Sequence, residues 1–216
     1  MYSRKVIWLF PGTAELQLGS SIPPIAHFPV IRILSAMSKD SKQIVTSGKY
    51  VNLATRRGWE FVERKNICGI VGIVAVTDDS KLLLIEQYRP PLDKAVFELP
   101  AGLAGDIAGS ETEDLAVAAR RELLEETGYE AREMIRLVDG ASSAGITDEV
   151  VTLFRATGLR KTGAGGGVGN ERLTLHEVPL PEVLDWLAAR CRDGAAVDMK
   201  VYSGLLFAKA FGSESV

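Results

Sequence analysis

Three glutamates, Glu122, Glu125 and Glu126, fall within five consecutive positions, directly after Arg121. In a helix of 3.6 residues per turn they share about 100° of arc. Like charges three and four residues apart each cost a helix a few tenths of a kcal/mol. Three carboxylates on one face therefore call for a compensating charge. A hard divalent cation, Mg²⁺ or Mn²⁺, supplies it through carboxylate oxygens. Arg121 lies four residues before Glu125 and is placed to hold that carboxylate. The competing reading is a solvated acidic face with no ligand.

The element that must present these groups is the stretch from Glu113 through Thr127. It is rich in strong helix formers and is followed by Gly128, a helix-terminating residue. Ala116, Val117, Ala119, Leu123 and Leu124 occupy a second arc suited to packing. Arg120 falls among them and is expected to reach outward along its stem.

Arg121-Glu122-Leu123-Leu124-Glu125-Glu126-Thr127-Gly128-Tyr129 fills every fixed position of the pattern R-E-U-x-E-E-x-G-U, with U apolar or aromatic. It resembles the second half of the box that marks Nudix hydrolases. Glu113 stands eight residues before the arginine, where that box has a glutamate. The box should open with a glycine fourteen residues before Arg121, but that position is Ile107. Gly102 is the counterpart at a spacing of nineteen, which implies a five-residue insertion between Leu103 and Glu113 and leaves Glu111 as an alternative to Glu113. The resemblance implies an α/β protein, the Nudix α/β/α sandwich. A mixed β-sheet lies between helices, and a loop-helix-loop forms the metal platform. It implies metal-dependent cleavage of a nucleoside diphosphate linked to another group.

Further segments are similar to the ADP-ribose pyrophosphatase branch of that family. Trp59-Glu60, followed by Arg64, matches a W-E-x-x-x-R segment ahead of the first core strand. In the branch the Trp stacks on adenine and the Arg contacts substrate, often across a homodimer interface. This implies substrate-binding roles for Trp59, Glu60 and Arg64. A core tryptophan is the plainer reading of Trp59. Stacking on an aromatic face gains about 1–3 kcal/mol per base. Gln87-Tyr88-Arg89-Pro90-Pro91 implies that Arg89 grips the diphosphate, since a planar guanidinium meets phosphate bidentately. A strand-end arginine paired with Glu86 or Glu98 is the alternative. Phe97-Glu98-Leu99-Pro100-Ala101-Gly102 implies that the Ala101 carbonyl ligates metal with Glu122, Glu125 and Glu126, and that Glu98 assists near the site. The loop 141–149 aligns Glu149 with the residue that activates the attacking water, and Asp148 is its rival. A capping or solvated acid is the plain alternative for Glu149.

The remaining chain sets bounds. The 216 residues suit one sizeable domain, read as 46–212, after an N-terminal extension or partner-binding arm at 1–45 with a proline-containing connector at 20–29. A net charge of −3 argues against a nucleic-acid surface. Cys68 and Cys191 are far apart and lack metal-site spacing, as free thiols of a reducing cytosol would. His27 and His176 are isolated. The apolar run 6–10 is shorter than a signal core, and no run approaches the roughly 18 apolar residues of a membrane span. A cytoplasmic protein follows. Strands are expected at 49–63 around a turn at 56–58, and at 67–77, 81–89, 95–99, 130–139, 150–156 and 171–179. Helices are expected at 181–192 and 197–211. Five glycines in residues 163–169 lack the lysine and following helix of a phosphate loop, and are read as a flexible hairpin turn. The resemblance implies hydrolysis of ADP-ribose to AMP and ribose 5-phosphate. The rivals are a GDP-sugar or dinucleoside polyphosphate substrate, and a regulatory module that binds ADP-ribose without cleaving it.

Overall fold

The computed structural model describes residues 41–169 and 172–212. The connector at 20–29 and most of the extension lie outside the described residues. Gln43–Ser47 (β1), Val51–Arg56 (β2) and Trp59–Arg64 (β3) form an antiparallel sheet in that order. Sheet structure thus begins inside the stretch assigned to the extension. Arg56 pairs with Trp59, so the β2–β3 turn is two residues, Arg57 and Gly58. Both take positive φ, 54° and 76°, which matches the twist of a tight hairpin.

Gly69–Ala75 (β4) is the central strand. Lys81–Arg89 (β5) and Lys94–Glu98 (β6) follow, and then Ala101–Ala104 (β7) returns antiparallel beside β4. Leu115–Thr127 (α1) leads into Tyr129–Glu130 (β8) and Glu133–Ala141 (β9). Val150–Thr157 (β10) then lies parallel to β4 and antiparallel to β9. Arg160–Lys161 (β11) pairs with β8. Thr174–Pro179 (β12) joins β5, and Ala196–Val197 (β13) joins β6. Val183–Arg192 (α2) and Met199–Gly212 (α3) complete the chain. The sheets run β7-β4-β10-β9 and β12-β5-β6-β13.

β4 is apolar on both faces because both are covered. Val71, Ile73 and Ala75 pack with Ala118, Ala119 and Leu123 of α1. Val74 packs with Val183 and Leu187 of α2 and Val201 and Leu205 of α3. A strand covered on both sides reads as a near-continuous apolar run. The expected mixed sheet between helices is therefore present.

The α1 packing arc differs from the expected one. Val117 and Leu124 are exposed, whereas Ala118, Ala119, Glu122, Leu123 and Glu126 are buried. The contact stripe is rotated toward the acids. Arg120 reaches outward and donates to the carbonyls of Ala131 and Arg132. In α3 Val201, Gly204, Leu205 and Ala208 are buried, while Met199, Tyr202 and Leu206 are exposed. Residues 163–169 are not a hairpin turn. The strands before and after them, β11 and β12, pair with β8 and β5 and not with each other. Among the described residues, no helix is long and apolar enough to cross a membrane.

Candidate active site

α1 is fixed at both ends. Asp114 caps its start, its carboxylate accepting from the amides of Ala116 (2.9 Å) and Val117 (3.3 Å). Asp, with its short acceptor, suits this position. At the other end Gly128 adopts φ 73° and donates to the Leu124 carbonyl. The contact stripe then lays Glu122 and Glu126 against β7. Gly102 makes that approach feasible: a Cβ there would sit 1.9 Å from the Glu122 carboxyl carbon. Glu126 accepts from the Ala101 amide at 3.0 Å.

Arg121 is the hub of this platform. One terminal nitrogen donates to Glu122 at 2.8 Å and to Glu125 at 3.3 Å. Its remaining nitrogens donate to both Glu113 oxygens at 3.2 Å, to the Leu103 carbonyl at 2.9 Å and to Asp106 at 3.4 Å. Glu113, and not Glu111, thus meets the arginine, whereas Glu111 accepts from the Gly109 amide. The insertion occupies the loop between β7 and α1 and contributes Asp106.

These contacts set the ionisation. Burial raises Glu122 from an ordinary 4.5 to about 7, with the charges of Glu125 and Asp106 adding to it and Arg121 opposing. Glu113 is lowered, chiefly by its hydrogen bond from Arg121 and also by the Gly105 amide. Burial is the largest influence on Arg121 and pulls it down, yet Glu113, Glu122 and Glu125 together raise it above its ordinary value. One arginine does not neutralise the cluster: Glu122 shares that cation with three other carboxylates.

A second ion pair lies beside the platform. Arg89, at the end of β5, donates bidentately to Glu98 at 2.5 and 2.7 Å. Glu98 is 4% exposed and raises the arginine, and the Glu126 charge adds to this. Of the two carboxylates expected for Arg89, Glu98 is the partner, and Glu86 bonds His176 instead. The third group is at a rim. Arg64, ending β3, pairs with Glu149 on the loop before β10, and Ser142 donates to the other Glu149 oxygen at 3.3 Å. The pair borders a cleft of ≈ 300 Å³, with Cys68, Gly69 and the exposed Asp148. Trp59 and Glu60 are exposed at the β2–β3 turn, so Trp59 is not a core residue.

The structure thus gathers Arg121, Glu122, Glu125, Glu126, Ala101, Glu98 and Arg89 around α1 and β7. It sets Arg64 and Glu149 together at the rim and leaves Trp59 and Glu60 apart. Among the described residues, no three acidic, thiol or imidazole groups already stand at the spacing of a coordination sphere. The donors nonetheless suit a hard cation: buried carboxylates in excess of arginines, one of them pushed to about 7, against a glycine that leaves the space open. Three contributors escaped the reading of the sequence. Asp106 and Ser142 carry no local signal. The glycines at 163–167 do carry one, but composition alone points to a turn and does not name the helix end they meet.

A NUDIX domain family model matches residues 69–190. The chain is 41% identical over 120 residues to the methanol dehydrogenase activator of Bacillus methanolicus, covering 55% of this chain and 62% of that one. It is 36% identical over 139 residues to the ADP-ribose pyrophosphatase of Mycobacterium tuberculosis, covering 64% and 63%. The chain thus spans less than two thirds of the length of these relatives. A solved structure of an ADP compounds hydrolase superposes with a TM-score of 0.60 over 82% of this chain and 95% of that one, at 21% identity. That likeness is one of fold.

Proposed function

Because this chain belongs to the NUDIX family, we propose that it is a pyrophosphohydrolase that cleaves a nucleoside diphosphate sugar, with ADP-ribose as the substrate. Water adds across the phosphoanhydride bridge, one P–O bond breaks, and AMP and ribose 5-phosphate leave. The observation that carries the reading is the close approach of Gly102 to Glu122, beside buried Glu126: acids held in the interior with no side chain between them and β7. Glu122, Glu125, Glu126 and the Ala101 carbonyl would hold Mg²⁺ or Mn²⁺. Such a cation supplies Lewis acidity toward the phosphoryl oxygens and lowers the pKa of water.

The chain's own groups do the rest. Arg121 keeps Glu125 and Glu113 in place and shares its charge with Glu122. Arg89 presents its remaining donors to the diphosphate while Glu98 holds its fork. Phosphoryl transfer depends mainly on such positioning and charge stabilisation. Arg64 binds a phosphate oxygen and thereby frees Glu149, which takes the proton of the attacking water. Asp148 beside it is the alternative base. Trp59 and Glu60 take the adenosine end. The exposure of Trp59 supports its serving the site of a second copy in a homodimer. The substrate is a small nucleotide, met in the cytoplasm.

A panel of ADP-ribose, GDP-mannose and diadenosine polyphosphate with Mg²⁺ tests the substrate. Preferred release of AMP from ADP-ribose supports the reading, and preference for GDP-mannose overturns that choice. A second reading rests on the relative named as an activator of another enzyme: this chain acts on a nucleotide in order to regulate, or senses ADP-ribose without turnover. Tight ADP-ribose binding with no product would favour the sensor.

A further inference from the structure

The last turn of α1 carries Glu125 and Glu126 at the end where the helix dipole is negative, and no basic residue lies in that turn to offset it. Helix ends also leave carbonyls without intrahelical partners, and such ends fray. Here the loop that follows β11 wraps the helix end. The Gly166 amide donates to the Glu126 carbonyl at 2.8 Å, and the Gly167 amide to the Glu125 carbonyl at 3.0 Å. Thr162 and Gly163 donate to the Gly128 carbonyl at 2.8 and 3.0 Å. The carbonyls engaged therefore include those of the two acids themselves.

The fit requires glycine on both sides. Gly165, Gly166 and Gly167 take φ of 68°, 102° and 83°, a run that L side chains resist. A Cβ on Gly165 would meet the Thr127 carbonyl carbon at 2.5 Å and the Glu126 oxygen at 2.6 Å. A Cβ on Gly128 would meet the Gly163 oxygen at 2.2 Å. These are backbone atoms and cannot swing aside. The loop starts from a strand already tied to the helix exit, since Lys161 pairs with Tyr129. A simple helix stop needs only Gly128, which makes its own cap to Leu124.

We propose that the glycine loop 163–167 is a clamp that positions the acid-bearing last turn of α1 for cation binding. The proposal rests on the reading of α1 as a cation platform. By holding the backbone of Glu125 and Glu126, the loop sets how far their carboxylates stand from β7, where Glu126 already meets the Ala101 amide. Gly165 and its neighbours are positioning residues and touch no substrate.

The test compares Gly165→Ala with Gly194→Ala. Gly194 also has positive φ, 97°, but closes α2 and has open space around it. Mn²⁺ affinity is read by calorimetric titration of the whole protein, with melting temperature and kcat and KM beside it. Gly165→Ala is expected to weaken Mn²⁺ binding by about tenfold or more, the scale of losses when groups supporting a ligand are disturbed. Its kcat falls with it, while KM for ADP-ribose at saturating Mn²⁺ moves little. Gly194→Ala lowers the melting temperature and leaves Mn²⁺ affinity unchanged. If Gly165→Ala fails to fold, Gly166→Ala replaces it, because its added methyl meets only the Leu173 carbonyl at 3.9 Å. That variant is expected to weaken Mn²⁺ severalfold. Wild-type Mn²⁺ affinity in a folded, destabilised loop variant overturns the clamp and leaves the platform standing. A wild-type protein that binds no Mn²⁺ overturns the platform, and the clamp with it.

Discussion

Arg121 and Arg64 are both arginines facing glutamate, yet they sit in opposite physical regimes. Arg121 has a side chain 20% exposed and is held by Glu113, Glu122, Glu125, Asp106 and the Leu103 carbonyl. Arg64 is 41% exposed and meets Glu149 at a cleft rim. Buried charges left without a partner cost several kcal/mol, whereas exposed ion pairs contribute about 0–1 kcal/mol. The α1 platform is therefore built in advance and under electrostatic tension. The rim is more loosely set, as the proposed exchange of Glu149 for a phosphate on Arg64 requires. Removing Arg121, on which the platform carboxylates converge, should therefore cost stability as well as activity. Substitutions at the rim should move activity alone.

The deepest cut is Glu126→Gln. Hydrolysis of ADP-ribose should fall by about a thousandfold, roughly 4 kcal/mol of barrier. The metal-free melting temperature should hold, because the amide oxygen still accepts from Ala101. Arg121→Ala comes next. It strands several carboxylates and should cost about 3 kcal/mol of unfolding free energy, read by urea denaturation. A loss as small as that of a surface pair would erase the distinction between the two regions.

The third effect is one of pH. Glu122 in the metal-free protein titrates near 7, against an ordinary 4.5. Between those values the native state holds a proton that the unfolded chain does not. Stability therefore rises as pH falls from about 8 to about 5, by about 2 kcal/mol. Glu122→Gln should flatten that slope in thermal melts of the chelator-treated protein. The smallest stability change belongs to Arg64→Ala, within about 1 kcal/mol, with KM for ADP-ribose raised about tenfold. A fall in melting temperature matching that of Arg121→Ala would place the rim in the platform's class.

The clustering of the α1 acids is legible in the sequence because Arg121 to Glu126 span little more than one helical turn, where local spacing determines geometry. The β2–β3 turn, β4, β5 and α1 were legible for the same reason, each with a clear period or a turn residue. What escaped depended on distant partners. Four-residue β7 and the two-residue strands β8, β11 and β13 have no period to read. Val117 and Leu124 belong to an apolar arc in composition, but the contact stripe of α1 is set by the strands beneath it, which rotate the acids inward. Asp106 acquires meaning only when the insertion folds back to Arg121. The glycines at 163–167 announced an unusual backbone, yet their partner is a helix end some forty residues earlier. The pairing of Arg89 with Glu98 was one of two open choices, and strand register decided it: Glu98 lies opposite Ile85 on β5, whereas Glu86 lies opposite Phe97.

Calorimetric titration of the chelator-treated protein with Mg²⁺ at pH 8 and pH 6 goes straight to the question of whether the buried acids of α1 exist to hold a cation. Binding should be evident at pH 8, about tenfold weaker at pH 6 where Glu122 must first lose its proton, and abolished by Glu126→Gln. No heat of binding at either pH, or an affinity indifferent to Glu126→Gln, would contradict it.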